Sequence, residues 1–168
     1  MKKGRARPLA GFTIIELLLY MGLFSILITI IGGLFFSILQ LRLEAETVSS
    51  VQQDSNFIIG RLKYDLNGAT GVTSPASPGQ TATVLTFVKS ATTYTYTLSG
   101  TDLLLAVSGQ PPVSLNGYNT QVLAFNVTRL GNPGGFPYLN ISFTLSGKSV
   151  FINQQPETKI FTTGISLR

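Results

Sequence analysis

The sequence predicts an α+β protein: a long N-terminal α-helix, membrane-spanning in its first half and amphipathic in its second, packed on an antiparallel β-sheet head. Three observations predict it. Residues 12–39 form one apolar run with a single ionisable side chain. Apolar residues then recur every three or four positions as far as residue 69. From residue 84 onward, β-branched and aromatic runs alternate with Gly-, Asn- and Ser-rich turns.

The apolar run, FTIIELLLYMGLFSILITIIGGLFFSIL, covers Phe12 to Leu39. A spanning helix needs about 20 such residues, and a helix of this length reaches about 42 Å, enough to cross with tilt. Lys2, Lys3, Arg5 and Arg7 precede it, which favours a cytoplasmic N-terminus and places the rest of the chain outside. A cleaved secretory signal has a shorter apolar region and a small-residue cleavage site. Here the run is too long, and Leu39-Gln40-Leu41-Arg42 offers no such site. A retained anchor fits better.

Beyond Leu39 the composition turns polar while the helical period continues. Ala45, Val48, Val51, Ile58, Leu62, Leu66 and Ala69 line one face, with Ser55 filling the gap, and Asn67-Gly68 marks the end. Gly71–Thr83, rich in Pro, Gly, Ser and Thr, reads as a loop. Strands are then expected over 84–89, 93–98, 103–107, 121–129, 138–146, 149–153 and 158–167, giving five to seven antiparallel strands on the helix.

Composition narrows the function. The chain lacks Cys and His, which removes disulfides, thiolate sites and the commonest general base. Its seven carboxylates are scattered and form neither a calcium loop nor a two-carboxylate active site. No enzyme, metal or cofactor is expected. The formal charge of +5 belongs mostly to the first 11 residues, which hold four of the twelve basic residues. The other eight are dispersed among seven acids, so the balance does not point to nucleic acid as a partner of this subunit alone. Tyr118 and Phe136-Pro137-Tyr138 are candidates for an adhesive patch, although strand propensity explains most of the aromatic residues.

Glu16 is the informative residue. A carboxylate at the bilayer centre costs about 2.5–3.5 kcal/mol, less near the interface. Thr13, three residues earlier, matches a capping box and gives Glu16 a purely local role. Alternatively, Glu16 pairs with a cation inside an assembly of helices. Gly11 can likewise be an ordinary turn residue before a helix.

Taken together, Gly11-Phe12-Thr13-Ile14-Ile15-Glu16-Leu17-Leu18 after a short basic leader resembles the class III signal of type IV pilins and pseudopilins. The resemblance implies a leader at 1–11, a transmembrane and assembly helix at 12–39, an amphipathic helix at 40–69 and an extracytoplasmic β-rich head at 70–168. It implies cleavage between Gly11 and Phe12 by a prepilin peptidase, N-methylation of Phe12, and neutralisation of a neighbour's Phe12 amine by Glu16 during assembly. The implied partners are that peptidase, other pilin or pseudopilin subunits, the inner-membrane assembly platform and, before assembly, membrane lipid. The implied location is the cytoplasmic membrane, single-pass, and then a pilus or pseudopilus.

Two details depart from the family pattern. Ala10 stands where many members carry a basic residue, and the helix lacks a Pro two-thirds along. Gly32-Gly33 could soften the helix instead, or serve close helix packing. The segment Asp65-Leu66-Asn67-Gly68-Ala69 also resembles the helix end of J-type minor pseudopilins and W-type minor pilins. Asp65 is then either a solvated residue or a helix-end hydrogen-bonding group. The missing cysteines and calcium site lean toward a minor or initiating subunit. A membrane-anchored adhesin or ligand-binding module is the alternative.

Overall fold

The computed structural model describes residues 11–131, 137–148 and 156–167. The leader residues 1–10, the turn residues 132–135, Phe136 and the strand expected over 149–153 lie outside the described residues. The chain divides into two compact units, residues 1–42 and 43–168. Helix α1 (Ile14–Leu66) contributes to both.

In the first unit the helix is long and apolar enough to cross a membrane, and none of its apolar window is buried. Its side-chain hydroxyls turn inward on the backbone. Ser25 donates to the Met21 carbonyl at 2.8 Å, Thr29 to Ser25 at 2.9 Å and Ser37 to Gly33 at 3.0 Å. Each hydroxyl therefore carries its own acceptor, as an apolar medium would require. The helix passes through Gly32-Gly33 without a break.

In the second unit α1 enters a core shared with two antiparallel sheets. Thr47, Val51, Ser55, Ile58, Leu62 and Leu66 are its buried stripe, at spacings of three and four. The expected start of this stripe needs correction: Ala45 is exposed and Val48 half-buried, while Thr47 is buried. Thr47 can be buried because its hydroxyl is satisfied by the Leu43 carbonyl at 3.0 Å. The helix stops at Leu66, and Gly68 takes a φ of +84°, the left-handed conformation that suits glycine after a helix end.

One sheet has the order β1 (Gly71–Ser74), β3 (Val84–Lys89), β4 (Thr92–Ser99), β5 (Asp102–Val107), β6 (Val113–Ser114). The other has the order β2 (Thr81–Ala82), β7 (Thr120–Leu130), β8 (Tyr138–Gly147), β9 (Thr158–Ser166). Among the described residues nine strands in two sheets thus stand where five to seven were expected. The additions are short: β1 and β2 occupy the expected loop 71–83, and β6 follows the Pro111-Pro112 pair. Strand β8 shows the period of two most clearly, burying Leu139, Ile141, Phe143 and Leu145. In β7 a register shift between Val122 and Ala124 changes the parity, so that Val122, Phe125 and Val127 all face the core while Leu123 is half exposed.

Two close features are testable. A Cβ at Gly147 would overlap the Thr47 Cγ2 methyl, which the back-bonded hydroxyl holds in place. Gly147→Ala is expected to destabilise the head by about 1–3 kcal/mol, as overpacking does. Adding Thr47→Ser removes that methyl, leaves only a contact near 3.5 Å, and should restore most of the loss in denaturant titration of the detergent-solubilised chain. The β3–β4 turn places Ser90 and Ala91 at φ of 49° and 61°, where side chains with a Cβ are strained. Ala91→Gly should therefore raise the denaturation midpoint, by about 0.5–1 kcal/mol.

Candidate functional site at the first helical turn

Gly11, Phe12 and Thr13 are exposed and precede the helix, so the Gly11–Phe12 bond lies in non-helical backbone. Thr13 is the N-cap. Its carbonyl accepts from the Leu17 N–H at 3.1 Å, and its hydroxyl accepts from the Glu16 N–H at 3.3 Å. This is one half of a capping box. The returning half would be a bond from the Thr13 N–H to the Glu16 carboxylate, and it is not made. Among the described residues the Glu16 side chain has no hydrogen-bond or ion-pair partner. The capping role thus belongs to Thr13, while the carboxylate stays uncommitted on the surface of an apolar helix. The Phe12 ring sits edge-on to Tyr20 at 6.1 Å and is three-quarters exposed.

The uncommitted state of Glu16 contrasts with the head. Asp65 is buried and accepts from Arg61 Nε at 2.8 Å and from the Tyr96 hydroxyl at 2.6 Å, the latter across from strand β4. Of the two expectations for Asp65, the solvated one is therefore corrected, and the hydrogen-bonding one holds. Burial opposes the Arg61 charge, but the hydrogen bond to Asp65 and the nearby carboxylate charge outweigh it and raise the pKa. Burial, with help from the Asp65 hydrogen bond, pushes the Tyr96 phenol well above the ordinary tyrosine range.

A second tie escaped the sequence reading. Asp54 accepts from the Gly117 N–H at 2.7 Å and from the Thr120 hydroxyl, pinning the segment before β7 to the helix. Asn116 completes this corner. Its side-chain oxygen accepts from the Leu103 N–H at 2.9 Å, and its amide donates to Asp102 and to the Thr120 carbonyl, each at 3.1 Å. The only sequence signal was an acidic residue on the half-buried flank of the apolar stripe. Among the described residues no three His, Cys, Asp or Glu side chains cluster to hold a metal. Tyr118 is 92% exposed, with Lys148 Nζ 5.7 Å from its ring centre. Tyr96, by contrast, is core.

Comparison with known protein families, with curated protein sequences and with solved structures found no match.

The Tyr96–Asp65 bond makes an alkaline prediction. Because the folded-state pKa of Tyr96 is raised, the folded chain retains a proton that the unfolded chain loses above about pH 10. Stability from this group is complete below that pH and is lost as pH rises beyond it. Tyr96→Phe should lower stability at pH 7 by about 1.5–3 kcal/mol, since the lost bond is to a charged group. It should also flatten the alkaline fall in stability, read by denaturant titration between pH 8 and 11.5.

Proposed function

We propose that this chain is a pilin-like structural subunit, anchored in the cytoplasmic membrane by the first part of α1 and assembled into a type IV pilus or pseudopilus. The observation that carries the proposal is the Glu16 carboxylate, without a partner among the described residues, in the first turn of a helix long and apolar enough to cross a membrane. Two observations support this reading at the motif itself. The Gly11–Phe12 bond is exposed and precedes the helix, as access by a prepilin peptidase would require. Cleavage there would create a Phe12 amine, the site of methylation, four residues from Glu16.

The electrostatics favour pairing between copies. An ionised carboxylate and a protonated amine are each costly in an apolar bundle, and together they offset much of that cost. The bond forms only where one copy's Phe12 lies level with another's Glu16, so charge neutralisation also sets axial register. Lipid surrounds the exposed apolar side chains before assembly, and neighbouring helices replace it afterwards. The assembly platform and other subunits are the partners this chemistry requires. The head supplies a folded outer surface.

The alternative of an anchored binding module draws support from one feature, the exposed Tyr118 beside Lys148. The two readings separate at the N-terminus. Mass spectrometry of the chain from a host with the assembly machinery should find an N-terminal methylated Phe12, whereas a mere anchor would keep residue 1. Glu16→Ala should still be cleaved but should fall at least about tenfold in filament incorporation, measured by immunoblot of sheared filaments. Undiminished incorporation of that variant would refute the pairing.

A further inference from the structure

Asp54, Asp65, Asp102 and Glu157 each have a hydrogen-bond or ion-pair partner. Among the described residues only Glu16, Glu44 and Glu46 have none on their side chains. Arg42 is one turn before Glu46 yet forms no ion pair with it.

Glu46 begins a second helical seam. Glu46, Ser50, Gln53, Phe57, Gly60 and Tyr64 recur at spacings of four and three, on the side of α1 away from the buried stripe. Five of the six are exposed and Ser50 is half-buried. Phe57 and Tyr64 are 55% and 69% exposed, and Gly60 leaves open space between them. The far end of this seam is basic and ordered. Lys89 Nζ donates to the Tyr64 carbonyl at 2.9 Å and sits 4.9 Å from the Tyr64 ring centre. Arg61 approaches the same ring at 6.0 Å, and Lys63 is exposed beside it.

We infer that this seam is a contact surface for a second copy of the chain, with Glu46 of one copy docking on the Tyr64–Lys89 end of the next. The inference rests on the filament reading, which makes neighbouring helices parallel because their anchors share one membrane. The acid and the cations lie at opposite ends of the same seam, so a copy cannot satisfy itself. A parallel copy satisfies both when displaced along the axis by 18 residues, about 27 Å. Such an interface is heterologous, each copy offering its acidic end to one neighbour and its basic end to another, and it propagates without closing. Phe57 and Tyr64 supply apolar area, and Ser50 and Gly60 allow close approach of the backbones. The Phe12–Glu16 contact needs an offset of only four residues, about 6 Å, so the two contacts join different pairs of copies.

The chain has no cysteine, which makes cross-linking clean. Full-length Ser49→Cys/Asn67→Cys, two exposed positions with the same 18-residue spacing that leave Glu46 and Tyr64 intact, is expressed where filaments assemble and treated with a short bismaleimide. A ladder of multiples of this chain's mass is expected, with neither single variant giving more than a dimer. Adding Lys89→Glu should cut the ladder about fivefold by like-charge repulsion against the docking Glu46. A control pair, Ile15→Cys/Leu19→Cys, reports the short offset. A control ladder without the 49–67 ladder overturns this inference and leaves the filament reading intact. Loss of both overturns both. An Asn67→Cys adduct with a different polypeptide assigns the surface to another partner and overturns the second-copy inference.

Discussion

The entry of one helical stripe into a core shared by both sheets is the interaction on which the head depends. Val51, Ile58, Leu62 and Leu66 are closed to solvent there, together with Leu85 and Phe87 from one sheet and Ile141, Phe143 and Leu145 from the other. Each sheet has an apolar face that must be covered, and the helix is the element both sheets share. Polar ties then fix its rotation. Asp65 reaches Tyr96 in β4, and Asp54 reaches the segment ahead of β7, so each sheet is pinned to the same helix by a carboxylate. Hydrophobic burial alone would tolerate some rotation of the helix, whereas two hydrogen-bonded carboxylates at different heights do not.

The same helix handles its polar groups as an apolar medium would require. Hydroxyls cost little there because the backbone carbonyl one turn back accepts them, as at Ser25, Thr29 and Ser37. A carboxylate has no proton to donate and finds only carbonyls along a helix interior. Its one local remedy is the set of free N–H groups at the N-terminus, and Thr13 has taken the Glu16 N–H. In an apolar medium an acid so placed needs headgroup water or a cation that the described residues do not supply.

Much of this was legible in the sequence, and for identifiable reasons. The apolar run and the motif around Glu16 are local, so no tertiary knowledge is needed to read them. Strands β3, β4, β5, β7, β8 and β9 carry enough alternation to be seen, and their bounds differ from expectation by a residue or so. Strands β1, β2 and β6 have two to four residues, fewer than alternation needs to register, and sit among Pro and Gly that read as loop. The parity change at Leu123 depends on a bulge that partner strands create. A hydropathy pattern favours Ala45 over Thr47 because it cannot credit a hydroxyl with its own backbone acceptor. Asp54 looked like any acid on a helix flank, since its partners lie 63 and 66 residues away.

What the sequence could not reveal is which carboxylates are already spoken for, and that distinction organises the molecule. Asp54, Asp65 and Asp102 are engaged by hydrogen bonds that tie the fold together, and Glu157 has only an exposed ion pair with Lys159. The three that remain lie on α1, at residues 16, 44 and 46, below or at the start of the buried stripe. If these were merely solubilising, they would belong on the exposed strand faces, where instead Thr, Asn and Ser predominate along β4, β8 and β9. Their place on one helix, with Lys63 and Lys89 near its far end, is the charge pattern that the proposed packing of parallel copies would use.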